Sequence, residues 1–114
     1  MSNVDIVRLE QSMYIGQMKN GKRHGVGVMK YRSGRMYEGE WKDDLREGIG
    51  FEKFENGNIY KGDFAFGKAQ GRGIFVWRNG EVYEGEFYEG LKEGFGTWKC
   101  PNEGPTYVGE WKRS

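Results

Sequence analysis

A chain of 114 residues has room for one domain, and 36% hydrophobic residues is low for a conventional deep core. Aromatics at 16% and 20 glycines are both high, which points to an interior of Tyr, Trp and Phe laid against bare backbone. The 18 basic and 17 acidic side chains nearly cancel to +1, which removes a general electrostatic drive toward nucleic acid, and the single Cys100 excludes an internal disulfide.

Residues 1–12 carry Val4, Ile6, Val7 and Leu9. They fit a short helical segment behind Ser2 or Asn3, or an extended strand, and in either form an N-terminal extension or cap over the first repeat. No apolar run has the length of a signal peptide or a membrane span. The expectation is a soluble, cytoplasmic protein.

From Met13 onward one pattern recurs. Tyr14-Ile15-Gly16-Gln17-Met18 is followed at 23-residue intervals by Tyr37-Glu38-Gly39-Glu40-Trp41, Tyr60-Lys61-Gly62-Asp63-Phe64 and Tyr83-Glu84-Gly85-Glu86-Phe87. Tyr107-Val108-Gly109-Glu110-Trp111 closes the series after 24. A fixed period is the signature of a repeat array. Alternation with period two makes each motif a strand, with Tyr37, Gly39 and Trp41 on one face and Glu38 and Glu40 on the other. A polar connection such as Lys42 to Glu47 follows. A Gly-x-Gly pair (Gly25/Gly27, Gly48/Gly50, Gly71/Gly73, Gly94/Gly96) then leads into a second strand: Val28–Tyr31, Phe51–Phe54, Ile74–Trp77 and Thr97–Cys100. Ser33-Gly34, Asn56-Gly57 and Asn79-Gly80 read as type I′ hairpin turns, and Pro101–Pro105 as a longer final turn. The whole is expected to be all-β: one open antiparallel meander of about nine short strands, not a closed barrel, on the order of 40 Å long.

Glycine weakens a strand interior unless packing needs it. Gly39, Gly50, Gly62 and Gly73 offer flat backbone on which a ring can lie. Met29, Phe75, Trp98, Tyr31, Phe54 and Trp77 share the face of the second glycine of each pair, and Glu52 breaks this pattern.

The Tyr-x-Gly-x-Trp/Phe motif, the Gly-x-Gly pair and the Asn-Gly turn together resemble the MORN repeat (membrane occupation and recognition nexus). The resemblance covers residues 13–114, about four full units and the first strand of a fifth. Met18, where an aromatic belongs, and the prolines of the last turn depart from the pattern near its ends. The resemblance implies an elongated, grooved meander, a role in scaffolding, complex assembly or tethering, and no catalysis or cofactor.

A single sheet has no second layer to cover every ring. The surplus among Tyr31, Tyr37, Trp41, Phe54, Tyr60, Phe64, Phe75, Trp77, Tyr83, Phe87, Trp98 and Trp111 is expected to form an apolar partner-binding groove. Lys19-Asn20-Gly21-Lys22-Arg23-His24 is basic without an acidic partner inside it. Lys19, Lys22, Arg23 and His24 are therefore candidates for contact with acidic lipid or protein, at about 1 kcal/mol per Lys or Arg near an anionic membrane. An ordinary solvated loop is the blander reading.

Gly62 to Lys68 has the spacing of a phosphate-binding loop, but Ala69 replaces the Ser/Thr, and the context is strand to strand. His24 and Cys100 lie too far apart to share a metal, so none is expected. The carboxylates Glu38, Glu40, Asp63, Glu84, Glu86 and Glu110 read as a solvated stripe, and His24 as a loop residue satisfying nearby backbone. The functional expectation is an adaptor or structural subunit of a larger cytoskeletal assembly, ciliary among the options, with protein partners and room for self-association through sheet edges. Membrane tethering through the Lys19–His24 loop is the alternative.

Overall fold

The alternating motifs form strands, and a computed structural model describes residues 4–114 of them as one sheet. Its strands are β1 (Asp5–Arg8), β2 (Ser12–Lys19), β3 (Lys22–Tyr31), β4 (Met36–Lys42), β5 (Leu45–Lys53), β6 (Ile59–Ala65), β7 (Lys68–Val76), β8 (Val82–Tyr88), β9 (Leu91–Lys99) and β10 (Thr106–Trp111). Spatial order follows chain order from β1 to β10. Every pairing is antiparallel, and the sheet stays open. The tenth strand relative to the expected nine is β1, which pairs with β2 through Asp5↔Gly16 to Arg8↔Met13. The helical alternative for this segment therefore fails over Asp5–Arg8. A helix start at Ser2 or Asn3 lies outside the described residues.

The principal extents are 47 × 24 × 24 Å. Nine gaps of ~4.8 Å account for roughly 43 Å of the long axis. A flat sheet would be roughly 10 Å thick, so the 24 Å cross-section records strong twist and curl.

Glycines form one continuous row across the sheet, from Gly16↔Gly27 through Gly39↔Gly50, Gly62↔Gly73 and Gly85↔Gly96 to Gly109. The row exists because a tyrosine lies on it. A Cβ at Gly50 would stand 2.4 Å from the Tyr37 hydroxyl oxygen, and one at Gly73 would stand 2.4 Å from that of Tyr60. Each tyrosine donates its hydroxyl proton to a carbonyl three residues on: Tyr14 to Gln17, Tyr37 to Glu40, Tyr60 to Asp63, Tyr83 to Glu86 and Tyr107 to Glu110.

Just beyond the motif glycines Gly16, Gly39, Gly62 and Gly85 the register with the following strand slips, as between Gly39 and Trp41. The first glycine of each Gly-x-Gly pair takes a left-handed conformation there, with Gly48 at φ 73°. The bulge leaves one amide without a ladder partner, and the preceding strand supplies the acceptor. Val26 N–H donates to Gln17 Oε1 at 2.7 Å, Ile49 N–H to Glu40 Oε1 at 2.6 Å, Arg72 N–H to Asp63 Oδ2 at 3.1 Å and Phe95 N–H to Glu86 Oε1 at 2.7 Å. Glu38, Glu40, Glu84, Glu86 and Glu110 are exposed, as expected of the stripe, but Glu40, Asp63 and Glu86 also serve as structural acceptors, a role the solvated reading did not include.

The two turn classes are exchanged relative to expectation. Both central residues have positive φ at Asn20-Gly21 (51°, 76°), Asp43-Asp44 (48°, 71°), Phe66-Gly67 (52°, 82°) and Glu89-Gly90 (50°, 86°). These are the type I′ turns. At Ser33-Gly34, Asn56-Gly57 and Asn79-Gly80 only the glycine has positive φ. There Gly34 N–H donates to Tyr31 O at 3.0 Å and Tyr31 N–H to Arg35 O at 2.9 Å, the pattern of a type I turn followed by a glycine bulge. The phosphate-loop look-alike is simply β6, the turn Phe66-Gly67 and β7.

Candidate partner-binding face

The twelve candidate rings divide into two tiers. Tyr37, Trp41, Tyr60, Phe64, Tyr83 and Phe87 are buried, together with Tyr14 and Met29. They are the core and present no surface to a partner, which corrects their assignment to an open groove. Tyr37, Tyr60 and Tyr83 each meet their own unit's aromatic and that of the next unit edge-on. Ring centroids are 5.0 Å apart for Tyr37–Trp41 and 5.1 Å for Tyr37–Phe64, 5.1 Å for Tyr60–Phe64 and 4.9 Å for Tyr60–Phe87, and 5.2 Å for Tyr83 with either Phe87 or Trp111. Such pairs add about 0.5–1.5 kcal/mol each beyond area burial, so the units are stapled to one another. Burial pushes the phenols of Tyr14, Tyr37, Tyr60 and Tyr83 above their ordinary value, because the phenolate would lose its hydration.

The remaining candidates, Tyr31, Phe54, Phe75, Trp77, Trp98 and Trp111, are half-buried. Phe54, Phe75 and Trp77 form a contiguous run, with centroids 5.7 Å and 4.7 Å apart. Trp98 Nε1 donates to Glu81 Oε1 at 2.9 Å, and Trp111 Nε1 to Gly96 O at 3.3 Å.

Cations cover parts of this face. The Arg23 guanidinium lies 4.6 Å from the Trp41 centroid, that of Arg46 5.2 Å from Phe64, and that of Arg35 5.2 Å from Tyr31. The Lys92 ammonium sits 5.2 Å from Trp77, and burial pushes its pKa down. Glu52, the residue that broke the ring pattern, is 4% exposed. It is held between Arg35 (Nη2–Oε2 2.6 Å) and Arg46 (Nη1–Oε1 2.7 Å). A cavity of about 190 Å³ opens beside this triad, lined by Phe54, Tyr60, Phe75 and Phe87 with Ala69 at its wall.

The basic loop is not as sequence alone suggested. Its acidic partner comes from the next turn, 21 residues on. Arg23 N–H and Nε–H both donate to Asp44 Oδ1, at 2.8 and 3.0 Å, and Nη2 donates to Asp44 O at 3.1 Å. The Arg23 backbone amide, then its guanidinium, holds the Asp44 carboxyl below its ordinary value. His24 Nδ1 accepts from Asp43 N–H at 3.4 Å, the backbone role expected of it. Only Lys19 and Lys22 of the four candidates keep exposed side chains. Sequence reasoning missed Arg35, Arg46, Ala69 and Lys92. The signal was departure from the repeat: Glu52 stands where Phe75 and Trp98 stand in later units, and Ala69 where Arg23, Arg46 and Lys92 stand.

Among the described residues no helix is long and apolar enough to cross a membrane. Comparison with curated proteins finds no match to the chain. The sequence model of the MORN repeat matches four times, over residues 14–34, 37–59, 60–82 and 83–104. MORN repeats are in general protein–protein or membrane-interaction modules and non-catalytic. With most of its length in four matching units, the chain belongs to the MORN-repeat family.

Proposed function

We propose that this array is a non-catalytic adaptor or structural subunit of a larger cytoskeletal assembly, which holds a helix or extended segment of a partner protein against its half-exposed rings. The observation that carries this reading is the contiguous, half-buried run Phe54–Phe75–Trp77, which lies against a core already completed by other aromatics. Rings that the fold does not consume are what a partner can bury. Trp77→Ala and Phe54→Ala are expected to reduce partner recovery in affinity capture while circular dichroism keeps the β signature. Undiminished recovery by a folded double variant would overturn the groove. Pairing of copies through the edge strands β1 and β10 is a competing mode, which sedimentation of the purified chain separates from partner capture.

Tethering to acidic lipid is the weaker reading, since Asp43 and Asp44 already engage His24 and Arg23. It retains the exposed Lys19 and Lys22. Flotation with anionic vesicles that vanishes on Lys19→Glu and Lys22→Glu would favour it over the groove.

A further inference from the structure

In each unit one residue stands directly across the sheet from the motif aromatic or its substitute: Arg23 from Met18, Arg46 from Trp41, Ala69 from Phe64 and Lys92 from Phe87. Beneath that position lies an edge-on ring pair from successive units: Tyr14–Trp41, Tyr37–Phe64, Tyr60–Phe87 and Tyr83–Trp111. In three units the chain places its own cation over these rings. Arg23 lies over Trp41, Arg46 over Tyr37 and Phe64 at 5.5 and 5.2 Å, and Lys92 over Tyr83 and Trp111 at 6.0 and 5.7 Å. The arginines also donate to the carbonyl of the following type I′ turn, Arg23 to Asp44 O and Arg46 to Gly67 O. In the third unit Ala69 is too short to do either, and the cavity of about 190 Å³ lies over Tyr60 and Phe87. The corresponding turn residue, Gly90, lines that cavity, and its amide donates to Ala69 O at 2.9 Å. Apart from the missing side chain, the turn docks as in the other units.

We propose that this cavity takes an arginine or lysine side chain from a bound polypeptide, supplying from outside the cation that position 69 lacks. This rests on the interaction reading above and names the chemistry of the partner at one site. The geometry defines the occupant: a cation over the Tyr60–Phe87 pair, donating to Gly90 O. Arg35 and Arg46 at the cavity wall are each already bonded to Glu52. Phe75 stands where Glu52 stands one unit earlier, so the incoming cation would be held by rings and a carbonyl, as Lys92 is held by rings. Lys68, on the rim, is the side chain that opposes it. Attraction of a cation to ring faces is the driving interaction.

The test is titration of the ¹⁵N-labelled protein with N-acetyl-arginine methylamide, with the norleucine and glutamate analogues as neutral and anionic probes. Saturable shifts are expected at Ala69, Phe75 and Gly90 for the arginine probe. They should vanish in Ala69→Arg, which refills the site, and tighten several-fold in Lys68→Ala. Equal binding of the norleucine analogue would reduce the site to an apolar hole. Preferred binding of the glutamate analogue, lost in Lys68→Ala, would make it an anion site. Either result overturns the proposal, as does the absence of saturable shifts. Should Ala69→Arg fail to fold, Ala69→Met blocks the same space and is read the same way. The two readings fail separately. If the chain captures no protein but arginine shifts persist, the interaction module falls and the cation pocket stands. Capture that survives Ala69→Arg removes the pocket from partner binding.

Discussion

Gly50→Ala separates the two reasons for a glycine in a strand. The φ of Gly50 lies outside the left-handed region, so backbone conformation alone would let alanine stabilise the strand by about 0.5–1 kcal/mol. Packing predicts the opposite sign. The new Cβ would stand 2.4 Å from Tyr37 Oη, 2.6 Å from Cε1 and 2.7 Å from Cζ. That ring has nowhere to go, flanked by Trp41 and Phe64 and tied to Glu40 O at 2.8 Å. Overpacking costs about 1–3 kcal/mol, and a broken buried hydrogen bond about 1 kcal/mol more. Allowing for the entropic gain, the net destabilisation is roughly 1–3.5 kcal/mol, a fall in Tm on the order of 10 °C for a chain of this size. Urea unfolding followed by both tryptophan fluorescence and far-UV circular dichroism measures it, two probes being needed because repeat units can unfold separately. In a Tyr37→Phe background, which removes the nearest atom, the penalty should shrink by about 1 kcal/mol. An alanine variant as stable as the parent would refute the account of the glycine row.

Three further outcomes follow from the ionic contacts and turns. Glu52→Gln strips the anion from between Arg35 and Arg46 and is expected to destabilise by about 3 kcal/mol. Arg46→Ala combined with Glu52→Phe, which copies the Ala69/Phe75 pair of the next unit, should recover at least half of that in the same urea assay. The carboxyl of Asp44 titrates below its ordinary value in the folded protein, so its stabilisation is complete above the unfolded pKa of ~3.9. It is lost as pH falls through the lower folded value. Asp44→Asn should therefore flatten the loss of stability below pH ~4, and an unchanged acid limb in thermal melts would contradict the Arg23–Asp44 pairing. Phe66 holds φ 52° at a turn while 75% exposed. Phe66→Asn, a residue that tolerates this conformation, should raise stability by about 0.5–1 kcal/mol, and a fall would mean that the ring makes contacts of its own.

Most of the fold was legible because the repeat carries its own alternation. Tyr37, Gly39 and Trp41 could be assigned to one face from period two alone, and Gly39 and Gly50 could be read as a bed for a ring; that the ring is the motif tyrosine came from the pairing of Gly39 with Gly50. The turns were not legible from composition. Asn-Gly suits a type I′ turn and also a type I turn with a glycine bulge; the number of residues between paired positions decides, and that is a property of the ladder. Asn79-Gly80 therefore misled, while Asp43-Asp44 concealed a type I′ turn. Arg23 and Asp44 are 21 residues apart and meet only because adjacent hairpin turns stack. Arg35 and Glu52, 17 residues apart, meet instead through the pairing of β4 with β5, which sets Tyr37 opposite Glu52. In each ionic contact the acid is the departure: Asp44 stands where the other units have glycine, and Glu52 where they have Met29, Phe75 and Trp98. Division of the rings into core and surface was hidden for another reason: both tiers share one face, and only their distance from the glycine row separates Tyr60 from Trp77.

The chain-order meander has a mechanical consequence. The hydrogen bonds between strands lie across the strands, along the direction in which the strands are stacked, and each strand bonds only to those before and after it. Tension between Asp5 and Trp111 acts across the strands and loads these rows one at a time. The array should therefore peel open strand by strand at low force and re-zip in reverse, behaving as an extensible link and not as a rigid strut. A single abrupt, high-force rupture in an optical-trap recording would show that the ring staples between units, not the ladders, set its strength.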